Sequence, residues 1–321
     1  MKLFDVYPLF DITPVKAQDV YVFDEKGTQY LDLYGGHTVI SIGHSHPEYV
    51  KKVSEQLNNI GFYSNSIQNP LQVELALTLG KLSKCEEYQL FLCNSGAEAN
   101  ENALKLASFH TNKKKIIAFK NSFHGRTSAA VATTDNSKIV APLNAQQAVE
   151  FINLGDLVSV EKALVKNDVC AVIVEIIQGI GGLDESTAEF YQGLSKLCKK
   201  YNSLLIVDEV QSGFGRTGDF FAFQKHNIMP DIISMAKGMG NGFPIGGILI
   251  HPTIKASLGL LGSTFGGNHL ACAASLAVLN VLESQDLMQN VKDVSEYFIE
   301  KAQLLSKVNA VKGRGLMLGL E

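Results

Sequence analysis

The sequence predicts an α/β protein with a mostly parallel central sheet and helices on both faces. Short apolar runs recur through the middle of the chain: "YQLFLC" (88–93), "KIIAF" (115–119), "CAVIVEI" (170–176), "SLLIVDEV" (203–210), "DIISMA" (231–236) and "GGILI" (246–250). Runs of this kind read as strands buried on both faces. Between several of them lie stretches of helical periodicity, at 47–60, 96–110 and 188–201. Strand and helix in alternation build a parallel sheet with helical layers. In such sheets ligands bind at the carboxyl ends of the strands, so the residues just after each run hold the candidate site.

The helix at 47–60 opens on Pro47, and Val50, Val53, Leu57 and Ile60 form its apolar stripe. From about 268 the pattern turns helical ("LACAASLAVLNVLES", then 290–307), and a last apolar run, "GLMLGL", closes the chain. There is no internal repeat and no low-complexity linker.

At 321 residues the chain is long enough for a large domain plus a smaller one. It is 46% hydrophobic and 19% charged, as soluble enzymes are, and its net charge of -4 leaves no footprint for nucleic acid. The start, "MKLFDVYPLFDI", is interrupted by Asp5 and Asp11 and is no signal peptide. The greasiest stretch, "CAVIVEIIQGIGGL", carries Glu175 and Gln178 and is no membrane span. Five cysteines (85, 93, 170, 198, 272) without a CxxC pair read as buried thiols in a reducing compartment, with the cytoplasm as the default. The basic run Lys113-Lys114-Lys115 reads as a solvated loop before a strand. The H-x-H pair of "GHSHP" (43–47) lacks a third ligand at sensible spacing, so it reads as structural and no metal is expected.

Four strand ends carry chemistry. After "FLC" comes "NSGAEAN", where Ser95 and Glu98 make a capping-box pattern and Gly96 and Ala97 leave backbone N–H groups open at a helix start. Such a start suits a phosphate. After "IIAF" comes "KNSFHGRTS", where Phe123 offers a stacking face, and Arg126 a carboxylate clamp, in a loop that also holds His124. After "SLLIV" comes Asp208, followed by Glu209, Val210 and Gln211. After "DIISMA" comes Lys237, alone in the glycine-rich "MAKGMGNGFPIGG" (235–247). Lysine is almost never fully buried without a partner, and glycines let a chain bend tightly against a ligand.

These parts complement one cofactor, pyridoxal 5'-phosphate. Its aldehyde takes a lysine amine; its phosphate suits a helix N-terminus, its ring a stacking aromatic, and its pyridinium nitrogen a carboxylate. Unit charges about 4 Å apart at an effective dielectric near 20 interact by roughly 4 kcal/mol before desolvation, enough to keep that ring protonated. A nicotinamide or flavin reading is drawn by "GFGRTG" (213–218). It fails because "DEVQS" separates strand from glycines, and Phe220, Phe221 and Phe223 follow where a helix should open. "AKGMGNG" lacks the upstream glycines and the following Ser or Thr of a P-loop.

The run "LLIVDEVQSGFGRTGDFFAFQ…PDIISMAKGMGNGFPIGG", with "NSGAEANENALKLA", "SFHGRT", "GSTFGGNHLACAA" and "YLDLYGGHTVISIGHSHP", resembles class III (ornithine-type) aminotransferases, fold type I pyridoxal-phosphate enzymes. The likeness runs from about residue 8 to the last residue and is nearest the acetylornithine and succinylornithine branch. It implies a large cofactor-binding domain at 46–272. A small domain would be formed by 1–45 and by 273–321, the latter only its beginning. By this resemblance Lys237 holds the cofactor as a Schiff base and shuttles the proton, and Asp208 pairs with the ring nitrogen. Gln211 meets the phenolic oxygen, Phe123 stacks on the ring, and Ser95, Gly96, Ala97 and Val210 complete the cofactor site. Thr264 would reach the phosphate of a neighbouring subunit in a homodimer. Ser263 would lie near the substrate, and Arg126 would hold its α-carboxylate.

The implied reaction moves the side-chain amine of N-acetylornithine or N-succinylornithine to 2-oxoglutarate, as in arginine biosynthesis. Free ornithine and 4-aminobutyrate are the alternative donors. Two departures stand out. Relatives read "E-P-[IV]-Q-G-E-G-G" where this chain has "EIIQGIGG", so Ile176 and Ile180 replace a proline and a glutamate. That glutamate normally pairs with a C-terminal arginine, so the usual switch between carboxylate and amine substrates is not expected here. The chain also stops at Glu321 where relatives run on, and the arginine that binds the 2-oxoglutarate carboxylate is expected to be missing.

Overall fold

The computed structural model describes residues 1–321. A three-stranded antiparallel meander comes first: β1 (Pro14–Gln18), β2 (Tyr21–Asp24) and β3 (Gln29–Leu31). Asp24 ties its second turn, where Oδ1 accepts from the Lys26 and Thr28 amides (2.9 and 2.8 Å) and Oδ2 from the Tyr30 hydroxyl (2.9 Å). The sequence reading assigned no strands here, because these are short and half-exposed and carry no continuous apolar run.

The central sheet holds seven strands: β4 (Gln89–Cys93), β5 (Lys115–Phe119), β6 (Val149–Ile152), β7 (Val169–Glu175), β8 (Leu204–Asp208), β9 (Ile232–Met235) and β10 (Gly246–Ile250). Their order is β4-β10-β9-β8-β7-β5-β6. Only β10 runs antiparallel to its neighbours, β4 and β9; the β5–β6, β5–β7, β7–β8 and β8–β9 pairs are parallel. The mostly parallel sheet is therefore as expected. All six strands read from the sequence are present, with ends moved by one or two residues. The seventh, β6, is an edge strand of four residues, too short to stand out.

Alternate residues of each strand feed two separate cores, which is why the runs are apolar throughout. Ile117, Phe119, Val172, Val174, Leu205, Val207, Ile233 and Met235 point to one face. Ile116, Ala118, Ala171, Ile173, Leu204, Ile206 and Ile232 point to the other. Helices Pro70–Ser83, Ala188–Lys200 and His269–Ser284 cover the first face through Leu75, Leu79, Phe190, Leu194, Val278 and Leu282. Helix Gly96–Thr111 covers the second with the small residues Ala99, Ala103 and Ala107 beside Leu104. Each large aliphatic side chain buried this way contributes about 1.5–3 kcal/mol.

Helix Pro47–Asn59 matches the 47–60 expectation, and helix Leu287–Gln303 starts and ends a few residues before the expected 290–307. The last apolar run pairs as a hairpin, β11 (Val311–Arg314) with β12 (Met317–Leu320). Arg314 fastens that hairpin to the body, with Nη2 3.0 Å from Glu185 Oε1 and Nη1 3.2 Å from Asp219 Oδ2.

The basic run proves more structural than a solvated loop. Lys113 Nζ donates to Asn167 Oδ1 and to the carbonyls of Tyr201 and Asn202, and Lys115 Nζ pairs with Glu150 Oε2 at 2.6 Å. All five cysteines are buried and unpaired. His44 binds Asp32 while His46 faces Gln285, so the two histidines serve separate contacts. No helix is long and apolar enough to cross a membrane.

Candidate active site

A cavity of about 420 Å³ opens at the carboxyl ends of the strands, as the topology requires. Ser95, Gly96, Ala97, Phe123, Arg126, Asp208, Val210, Gln211 and Lys237 all line it. Nine of the eleven residues expected at the site are thus brought together; Ser263 and Thr264 stand outside this wall.

The helix Gly96–Thr111 begins in the cavity. Ser95 is its N-cap, with Oγ accepting from the Glu98 amide at 3.2 Å. The capping box is modified: the Glu98 carboxylate returns to the Asn94 N–H (2.6 Å) instead of the cap residue's own. The Gly96 and Ala97 amides remain free to meet an anion. Gly96 is forced by close approach, since a Cβ there would sit 2.6 Å from Val210 Cγ1. Gly125 has φ +131°, and a Cβ there would sit 2.7 Å from Ala97 Cβ, so the loop carrying Phe123 and Arg126 packs directly on the helix start.

Asp208 ends β8 and is 4% exposed. Its Oδ2 accepts from Asn100 Nδ2 (2.7 Å) and His124 Nδ1 (2.8 Å), and its Oδ1 from the Val210 amide (3.0 Å). Because a carboxylate can only accept, His124 carries its proton on Nδ1 here. Its buried Nε2 has no partner within the chain.

Lys237 follows β9 with φ +45°, a left-handed backbone that costs a non-glycine residue about 1–2 kcal/mol. Bonds from the Met239 amide to the Ala236 carbonyl and from the Gly240 amide to the Lys237 carbonyl hold the turn. Burial pushes the Lys237 amine below its ordinary range; the carboxylates of Asp208 and Glu175 oppose that, and the Arg216 guanidinium adds to it. A depressed pKa leaves more of the amine neutral and nucleophilic.

Phe123 is fixed from behind, its amide donating to Glu175 Oε1 at 2.9 Å. Oε2 of the same carboxylate accepts from the Gly179 amide (3.0 Å), at the turn that carries Ile180 into the cavity wall. Burial raises Glu175 to about 7, helped by the like charge of Asp208 and opposed by His124. Gln211 donates from Nε2 to Thr38 Oγ1 at 2.7 Å, and Gly179 is bare because a Cβ would fall on the Gln211 side chain. Arg126 is exposed at the wall. Thr264 is exposed, and Ser263 Oγ accepts from Asn94 Nδ2 at 3.2 Å.

Sequence reasoning missed Asn100, Glu175 and Arg216. Glu175 was noted only as an interruption of an apolar run, although a carboxylate ending a fully buried strand is itself a signal. Arg216 lies within "GFGRTG", whose glycines serve packing turns, and its Nη2 donates to the Ile40 carbonyl (2.7 Å).

The residues fit pyridoxal phosphate. Open amides await the phosphate, a partly exposed Phe123 the ring, Asp208 the ring nitrogen, and a depressed lysine amine the aldehyde. The unpartnered His124 Nε2 is a further polar atom in a wall that a ligand would complete. When bound, the cofactor supplies an electron sink for a substrate carbanion. The chain's part would be to hold Asp208 behind the ring, fix Phe123 through Glu175 and present Lys237 Nζ to the aldehyde.

The comparisons agree. The family model for aminotransferase class-III matches residues 5–321. The acetylornithine aminotransferase of Aquifex aeolicus is 42% identical over 99% of this chain and 86% of its own. The crystal structure of N-acetylornithine aminotransferase from Stenotrophomonas maltophilia is 33% identical, with a TM-score of 0.82 over 98% of this chain and 81% of that one. An ornithine aminotransferase structure from Toxoplasma gondii, with partial occupancy of PLP at its active site, is 28% identical, with a TM-score of 0.90 over 98% and 78%. With a lysine just after β9 in the same cavity as a strand-end carboxylate and an open helix start, and with these relatives, the chain is a pyridoxal-phosphate-dependent enzyme and belongs to the class-III aminotransferases.

Proposed function

We propose that this chain moves the δ-amino group of N-acetylornithine or N-succinylornithine to 2-oxoglutarate, giving glutamate and the N-acyl glutamate semialdehyde, a step of arginine biosynthesis. The observation that carries this reading is the 42% identity to an acetylornithine aminotransferase over 99% of the chain. Arg126 supports it. The only arginine ion pairs in the chain are those of Arg314, so the Arg126 fork is open to a substrate carboxylate.

In this reading Lys237 holds the cofactor and carries the proton, Asp208 pairs with the ring nitrogen, Phe123 stacks and Gln211 meets the phenolic oxygen. Gly96 and Ala97 seat the phosphate, Ser95 and Val210 complete the cofactor site, and Ser263 lies near the substrate. Two copies form the working unit, and Thr264 reaches the partner's cofactor phosphate. Exposed apolar side chains beside it, Phe265 next in the chain and Phe62 with its ring 5.1 Å from that of Phe265, support such a cover. Residues 46–272 form the large domain, with 1–45 and 273–321 in the small one, and the enzyme works in the cytoplasm.

A donor panel with 2-oxoglutarate tests the reading: N-acetylornithine, N-succinylornithine, ornithine and 4-aminobutyrate, with glutamate measured. A marked preference for an acylated donor is expected. Equal, poor rates with both acylated donors remove the assignment, and a preference for free ornithine moves the chain to that activity. Sedimentation measures the dimer.

A further inference from the structure

We propose that Asn100 is a positioning residue that keeps Asp208 ionised and aimed at the cofactor ring. The inference rests on the ring-nitrogen role given to Asp208 above. Asn100 is 1% exposed and sits one turn along the helix whose first residues face the phosphate position. At about 1.5 Å per residue that turn spans roughly 6 Å, so one rigid helix addresses both the phosphate end and the acid behind the ring.

The Asn100 amide has a single workable orientation. Nδ2 donates both to Asp208 Oδ2 (2.7 Å) and to the His124 carbonyl (2.7 Å). Both partners can only accept, so the NH₂ group must face them. Oδ1 is then left to accept from the Ser234 hydroxyl. Ser234 is fully buried on β9, in register with Asp208 on β8, three residues before Lys237. Through one side chain the network joins β8, β9, the helix and the Phe123 loop.

The consequence for Asp208 follows from counting lone pairs. Oδ2 takes two donors, Asn100 and His124, and Oδ1 takes one, the Val210 amide. A carboxylate offers about four acceptor positions, which leaves one, on Oδ1, for a proton on a ring nitrogen. Donors directed at the charged form favour it. With Asn100 removed, Oδ2 becomes a place for Asp208 to carry its own proton, and the ring loses its counter-charge.

Asn100→Leu keeps the branching at Cγ and removes the donors. Two readouts on the purified holoenzyme test it: the dissociation constant of pyridoxal phosphate, and the pH midpoint at which the visible absorbance of the bound cofactor changes. The constant is expected to rise about tenfold. The midpoint is expected to move up by about a unit, because a ring that has lost positive charge repels a second proton less. Ser234→Ala, which leaves the amide held only by its acceptors, is expected to move both in the same direction by less. A constant and midpoint equal to wild type in whichever variants fold overturn the inference, even where the melting temperature falls. A wild-type chain with no visible band on adding the cofactor instead overturns the ring assignment itself, and the positioning role with it.

Discussion

Glu175 and Asp208 stand opposite each other at the ends of neighbouring parallel strands, in direct register, with both side chains in the same cavity wall. Burial drives Glu175 up to about 7, while it drives the Lys237 amine down from the usual lysine range. An acid moved up and a base moved down in one cavity wall is an arrangement that brings their proton affinities closer together. The sheet topology makes it, because consecutive parallel strands deliver their last residues to one crevice.

Replacing Lys237 tests the centre of that arrangement. Lys237→Ala removes the only lysine lining the cavity. The visible absorbance of bound cofactor is expected to vanish, with transamination down by at least about 10³-fold, within the range of a lost acid–base group combined with a lost nucleophile. Absorbance and glutamate formation read the two losses; retention of either removes Lys237 from the chemistry.

Asp208→Asn separates binding from turnover. The amide retains the shape of the carboxylate but not its charge. It would also present an NH₂ group toward Asn100 Nδ2 or the Val210 amide, which are donors themselves. Cofactor binding is expected to persist, weakened at least as far as in Asn100→Leu, while kcat falls about 10²–10³-fold, the scale for a lost electrostatic stabiliser. Single-turnover kinetics reads this directly, and an unchanged rate would move the ring nitrogen's partner elsewhere.

Gly96 reports on the helix start proposed for the phosphate. A methyl group there meets Val210 Cγ1 at 2.6 Å and Cγ2 at 2.9 Å. Gly96→Ala is expected to lower stability by about 1–3 kcal/mol and to weaken cofactor affinity. Adding Val210→Ala should restore much of both by opening the space. Thermal melts and cofactor titrations of the single and double variants check the relief; no rescue would mean that the glycine serves backbone freedom instead.

Lys237, Asp208, Phe123 and Gly96 were legible because each follows an apolar run, and the topology sends every such residue to one crevice. Asn100 was not, since within a helix it is one polar residue among several, and its meaning comes from what the helix packs against. The meander at 14–31 and β6 escaped for the opposite reason: short, half-exposed strands bury too little to leave a continuous apolar signature. Ser263 and Thr264 were read from resemblance to a class rather than from physical pattern, and one chain's cavity does not include them.

Glu209 gives the fold its own pH dependence, apart from the chemistry. The residue is fully buried, and its carboxylate accepts from the Ser212 hydroxyl (2.6 Å) and the Ala222 and Phe223 amides (3.0 and 2.9 Å). Burial nevertheless outweighs these donors and raises its pKa from 4.5 to about 7. A raised pKa means that the folded state holds the proton more tightly than the unfolded one. The stabilisation is therefore complete below about pH 4.5 and is lost as pH climbs through about 7. At 1.36 kcal/mol per unit, that difference amounts to about 3 kcal/mol. The cofactor-free chain is expected to lose stability between pH 5 and 8, and Glu209→Gln, which has no charge to bury, should flatten that decline while leaving the part due to Glu175. Urea unfolding across this range measures the slope. An equal slope in the variant would show that the donors around Glu209 keep it ionised throughout.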